Sequence, residues 1–90
     1  MKPNLVFVYF EGCPNAQIVR ENLAATQYAF TSICQDEIPE EHPMKSYSSP
    51  SILLNDKLLF GSMIKGSGCS LDVPSAEDIL TAIQKNLRAN

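Results

Sequence analysis

The longest unbroken apolar run of the chain is Leu5-Val6-Phe7-Val8-Tyr9-Phe10. It is β-branched and aromatic without polar alternation, which predicts a strand covered on both faces. Gly12 ends it, and Pro14 suits the first position of a helix, where its missing N–H would have no partner anyway. From Asn15 to about Gln27 the period changes to that of a helix. Ala16, Val19 and Leu23 form its apolar stripe, Ile18 and Ala25 widen it, and Gln17, Arg20, Glu21 and Asn22 supply the wet face. Tyr28 to Cys34 predicts a second strand, shorter and more mixed than the first.

From Gln35 to Ser49 the chain is polar, with Pro39, Pro43 and the acidic residues Asp36, Glu37, Glu40 and Glu41. This segment reads as a wet connection with room for one short helical turn at most. Ser51-Ile52-Leu53-Leu54 and Lys57-Leu58-Leu59-Phe60 flank Asn55-Asp56, a hairpin signal. Gly61 to Pro74 holds the remaining glycines and reads as a flexible loop. Ser75 then opens a last helix, with Asp78 three residues on as a capping box. Ile79, Ile83 and Leu87 form the buried stripe of that helix, helped by Ala76 and Leu80, while Lys85 and Arg88 sit in its last turn, where the helix dipole favours cations.

The order is therefore strand, helix, strand, connection, hairpin, helix. The first three elements make a βαβ unit with parallel strands and a right-handed crossover. The hairpin adds two antiparallel strands, and the last helix covers a face. The expectation is one α/β domain over residues 1–90, a four-stranded mixed sheet with helices packed against it. No internal repeat or domain boundary interrupts it.

Charge and composition narrow the partners. A net charge of −3 argues against nucleic acid and against anionic membrane surfaces, both of which want a basic face. The apolar run Leu5–Phe10 is far too short to span a bilayer, and the N-terminus has no leader pattern. Three cysteines without framework spacing fit a reducing compartment, so a soluble cytoplasmic protein is expected.

The candidate chemistry centres on Cys13. A strand, a tight turn and a helix place its thiol at a helix N-terminus, where unpaired N–H groups and the dipole favour thiolate. Glu11 opposes this, because a nearby carboxylate raises a thiol pKa. Cys69, in the glycine-containing loop, is either a second thiol that reaches Cys13 or an exposed residue of no consequence. Cys34 reads as a packing residue at the end of the second strand, and His42 as a solvated residue of the connection. Together these side chains lack the paired short spacings of a structural zinc site, so no metal is expected by default.

In this order the elements resemble the thioredoxin fold over nearly the whole chain. That family carries its active thiol just after the first strand, where Cys13 stands. It also carries a cis-proline immediately before its third strand, facing the thiol, and Ser49-Pro50 precedes Ser51-Ile52-Leu53-Leu54 at that place. More narrowly, the chain resembles small thioredoxin-like and glutaredoxin-like proteins with a Gly-Cys-Pro start and a Ser-Pro-x-Ile-Leu strand. Their late cysteine precedes a Pro-Ser-capped helix, and the group is associated with mercury resistance. The departure is Ala16, which stands where a dithiol enzyme has its second cysteine.

The resemblance implies monothiol exchange at Cys13, with Pro14, Ser49 and Pro50 holding the substrate. A small-molecule thiol such as glutathione, as co-substrate, or Cys69 would resolve the mixed disulfide formed with a protein or small-molecule partner. Two other readings stay open. Cys13 and Cys69 could hold mercury or copper(I) between two thiolates. Alternatively, the fold serves as a redox-inactive scaffold for protein contacts.

Overall fold

The computed structural model describes residues 4–61 and 73–88. Strand β1 (Leu5–Tyr9) leads through a turn into α1 (Pro14–Ala24), and β2 (Thr31–Cys34) follows. Two short 3-10 turns, Gln35–Glu37 and Pro43–Ser46, occupy the connection; β3 (Ser51–Leu54), β4 (Lys57–Phe60) and α2 (Ala76–Arg88) complete the order. The four strands form one mixed sheet in the order β2-β1-β3-β4. β1 runs parallel to β2, and the pairs β1–β3 and β3–β4 are antiparallel.

Register assigns the two faces. Leu5 opposes Leu54 and Phe7 opposes Ile52, so these four share a face. They join Ala16, Val19 and Leu23 of α1 and Ile79 and Ile83 of α2 in one buried cluster, which places both helices on that side. Val8 and Leu53 point the other way and are also buried, as the unalternating run of β1 predicts. Every residue of β3 is buried, which fits its central position.

The hairpin closes through Asn55 and Asp56 at φ 51° and 70°. Two left-handed residues in succession make the turn whose twist matches that of the strands, and Asn and Asp tolerate that region. Asn55 also exchanges bonds with Asn4: its N–H donates to the Asn4 carbonyl at 2.9 Å, and its Oδ1 accepts from the Asn4 N–H at 3.0 Å. The capping box forms as expected. Ser75 Oγ accepts from the Asp78 N–H at 3.0 Å, and Asp78 Oδ2 accepts from the Ser75 N–H at 3.3 Å.

Four expectations need correction. α1 ends at Ala24 rather than near Gln27, which sits at φ 69°. Thr26 Oγ1 donates to the Leu23 carbonyl at 2.7 Å there and ties down the helix end. β2 starts at Thr31 rather than Tyr28, since its ladder with β1 begins at Val6 opposite Thr31. Ile18 is 46% exposed and Ala25 is exposed too, so neither widens the buried stripe. The connection holds two 3-10 turns rather than at most one. They are linked by buried Gln35, whose Nε2 donates to the Met44 and Tyr47 carbonyls at 2.8 Å each. The loop read over Gly61–Pro74 lies mostly outside the described residues.

Candidate functional site

The site follows from the antiparallel register of β1 and β3. Val8 opposes Ser51, so the C-terminal end of β1 lies beside the N-terminal end of β3. The residues just past Val8 and those just before Ser51 must therefore meet. Phe10 N–H donates to Ser49 Oγ at 3.1 Å, and the Ser49–Pro50 peptide bond is cis. Gly12, at φ +87°, makes the turn that brings the chain back into α1.

Cys13 is the N-cap residue of α1, in extended conformation at φ −93° and ψ 106°, and Pro14 takes the first helical position. The Ala16 N–H donates to the Cys13 carbonyl at 3.1 Å. Cys13 Sγ lies 3.5 Å from the Ser49 carbonyl oxygen. Cys13 is disulfide-bonded and only 6% exposed. In that form the sulfur carries no proton and the approach to Ser49 is a contact; reduced, the same geometry lets the S–H donate. Cys13 and the Ser49–Pro50 segment are thus brought together, with Pro14 exposed beside Cys13. Cys69 lies outside the described residues.

An open groove of about 530 Å³ runs from this point along α1. Tyr9 to Gly12 line it together with Cys13, Pro14, Ala16, Gln17 and Arg20. Its far end is aromatic and cationic. The Arg20 guanidinium carbon sits 4.5 Å from the centre of the Tyr9 ring and 5.5 Å from that of Phe7. Those two rings stack with their centres 5.5 Å apart. Arg20 is half-buried, which corrects its assignment to the wet face.

A third strut comes from the end of β2. Asp36 Oδ2 accepts from the Glu11 N–H at 2.8 Å and lies 3.7 Å from Cys34 Sγ, so it ties the turn before Cys13 to the sheet. Cys34 is a free thiol and is buried, as its packing role predicts. His42 is half-buried rather than solvated, and its Nδ1 accepts from the Met44 N–H at 3.1 Å. Among the described residues, no group of three or more His, Cys, Asp or Glu side chains is gathered to hold a metal ion.

Arg20, Tyr9 and Asp36 were missed from the sequence as site residues. A signal for Arg20 was present: Cys13, Ala16, Gln17 and Arg20 follow the i, i+3, i+4, i+7 spacing of one helix face. Asp36 carried none, because its role depends on where β2 ends beside β1.

No protein-family model matches the chain, and no curated protein matches it either. Among solved structures, one described as "Structure of a malarial protein" superposes with a TM-score of 0.58. The match covers 97% of this chain and 99% of that one at 14% identity, a likeness of fold alone. Among the described residues, no helix is long and apolar enough to cross a membrane.

Proposed function

We propose that the chain is a thioredoxin-like domain that carries out thiol–disulfide exchange at Cys13. The observation that carries this reading is the position of Cys13 Sγ, at the cap of α1 and 3.5 Å from the Ser49 carbonyl before the cis Pro50. The helix N-terminus stabilises a thiolate, and the buried Ser49–Pro50 segment forms the backing against which the sulfur rests.

Cys13 is disulfide-bonded and Cys34 is free. The chain has three cysteines, and we assign Cys69 the role of resolving thiol. In the reduced protein the Cys13 thiolate attacks one sulfur of a disulfide RS–SR′. The Cys13–SR bond forms while the RS–SR′ bond breaks, and R′S⁻ leaves to take a proton from water. The Cys69 thiolate then attacks Cys13 Sγ, closing the intramolecular disulfide and releasing RS⁻. The substrate disulfide becomes two thiols, and the two protein thiols become one disulfide. An external thiol such as glutathione, by two successive exchanges, returns the protein to its reduced form.

The test is exchange kinetics of the reduced protein with a small disulfide, followed by peptide mapping without reductant. The wild type should end with a Cys13–Cys69 cross-link, Cys13→Ser should be inert, and Cys69→Ser should accumulate a mixed disulfide at Cys13. Wild-type turnover by Cys69→Ser in glutathione would transfer the resolving step to glutathione. The exchange reading fails if Cys13 neither exchanges nor alkylates with a midpoint below the free-thiol value of about 8.5. The fold would then stand as a scaffold.

A further inference from the structure

The groove beside Cys13 contains a cation that exchange chemistry alone does not call for. Arg20 Nε is buried and has no hydrogen-bond partner among the described residues. Nε is closed off from the groove, so a ligand there meets the half-buried guanidinium through its other N–H groups. The one ion pair among the described residues joins Lys45 to Glu40, so Arg20 is not neutralised by a neighbouring carboxylate there. The guanidinium carbon lies 4.5 and 5.5 Å from the centres of the Tyr9 and Phe7 rings, a contact that holds the cation in place without consuming its hydrogen bonds. A guanidinium fixed in this way suits a carboxylate, which its fork binds through two parallel N–H bonds.

The other charge lining the groove, Glu11, is exposed at the turn before Cys13. Solvent screens it more than it screens the half-buried Arg20, so the cation dominates the field a ligand meets. This is a local reversal of sign, since the chain as a whole has a net charge of −3. A volume of about 530 Å³ is in the range of small-molecule sites.

We infer that the groove selects small disulfides bearing a carboxylate, with Arg20 receiving the carboxylate while Cys13 attacks the sulfur. The inference rests on the exchange reading above and names the substrate class of that site. Arg20 acts by binding and takes no part in the bond changes, which remain those of the exchange step.

Three disulfides of similar size and different charge test it. They are 3,3′-dithiodipropionate, which is dianionic, bis(2-hydroxyethyl) disulfide, which is neutral, and cystamine, which is dicationic. Each rate with the reduced protein is divided by its rate with dithiothreitol, which removes intrinsic reactivity. The wild type should favour the dianion over the neutral compound by about tenfold, the effect of one charge-assisted hydrogen bond. Cystamine should be slowest. Arg20→Gln should bring the ratio of dianion to neutral close to one, and Arg20→Lys should restore part of it. Raising salt should lower the same ratio in the wild type, a readout that does not depend on a folded variant. A normalised wild-type ratio near one, or one that Arg20→Gln leaves unchanged, overturns the inference while leaving exchange at Cys13 intact. Failure of all three disulfides to react with Cys13 overturns the exchange reading, and this inference with it.

Discussion

Replacing Gly61 with alanine tests how tightly the end of β4 is packed against the turn that carries Ser49. Gly61 has φ +107°, and an added Cβ would overlap Ser51 Oγ and lie 2.8 Å from Ser51 Cβ and 3.0 Å from Ser51 Cα. Ser51 is fully buried, and its Oγ donates to the Ser48 carbonyl at 2.6 Å. Rotating that hydroxyl would break the bond and still leave Cβ and Cα in the way. The positive φ costs about 1–2 kcal/mol for a residue with a Cβ. Overpacking adds about 1–3 kcal/mol. The stiffer unfolded chain of alanine returns about 0.4–1 kcal/mol. The balance is a loss of about 2–4 kcal/mol, or roughly 10–25 °C in melting temperature for a domain of this size. Gly12→Ala is the matched control: its φ is +87° but nothing lies within 4 Å of the new Cβ. That variant should lose about 1 kcal/mol, the conformational cost less the entropy returned. Urea unfolding followed by circular dichroism reads both, and their difference isolates the packing against Ser51. Equal losses in the two variants would refute the close approach of Gly61 to Ser51.

Four further substitutions probe other parts of the frame. Ser75→Ala removes the acceptor of the Asp78 N–H and should cost about 1 kcal/mol, seen as a lower urea midpoint with an unchanged slope. Ser49→Ala leaves the Phe10 N–H without its side-chain acceptor. It should cost about 1–3 kcal/mol, with faster amide exchange at Phe10. Ile83→Ala, at a fully buried position, should cost about 2–5 kcal/mol, whereas Ile18→Ala, 46% exposed, should stay within about 0.5 kcal/mol. Comparable losses for the two isoleucines would contradict the side of α1 assigned to the core.

Where an element is governed by its own residues, its limits could be read before its neighbours were known. The Asn55-Asp56 turn and the Ser75–Asp78 cap are of this kind, since one rests on residues that tolerate positive φ and the other on side chains three residues apart. The stripes Ala16-Val19-Leu23 and Ile79-Ile83 were legible for the same reason. The errors fall where a distant partner decides. Tyr28 to Phe30 have the composition of a strand, but pairing starts only at Val6 opposite Thr31. Ile18 has an apolar side chain on a helix, and only the absence of a neighbour over that arc leaves it 46% exposed. The polar connection gains its second 3-10 turn through Gln35, whose amide reaches the Met44 and Tyr47 carbonyls.

The candidate site divides along the same line. Cys13 and Pro50 could each be picked out locally, one by the strand–turn–helix sequence around it and the other by its place before a strand. Their meeting is a consequence of register, because Val8 opposite Ser51 sets the end of β1 beside the start of β3. Arg20 was assigned to water because a helical wheel sorts residues by charge alone. Yet arginine carries a long apolar stem and a weakly hydrated planar head, so it goes half under cover when a neighbouring element offers an aromatic face. β1 offers two, Phe7 and Tyr9, on the face that α1 packs against. Two aromatic residues of the first strand therefore determine where the cation lies. The groove owes its sign to them as much as to Arg20, and loss of the Tyr9 ring should weaken carboxylate selection even with the guanidinium present.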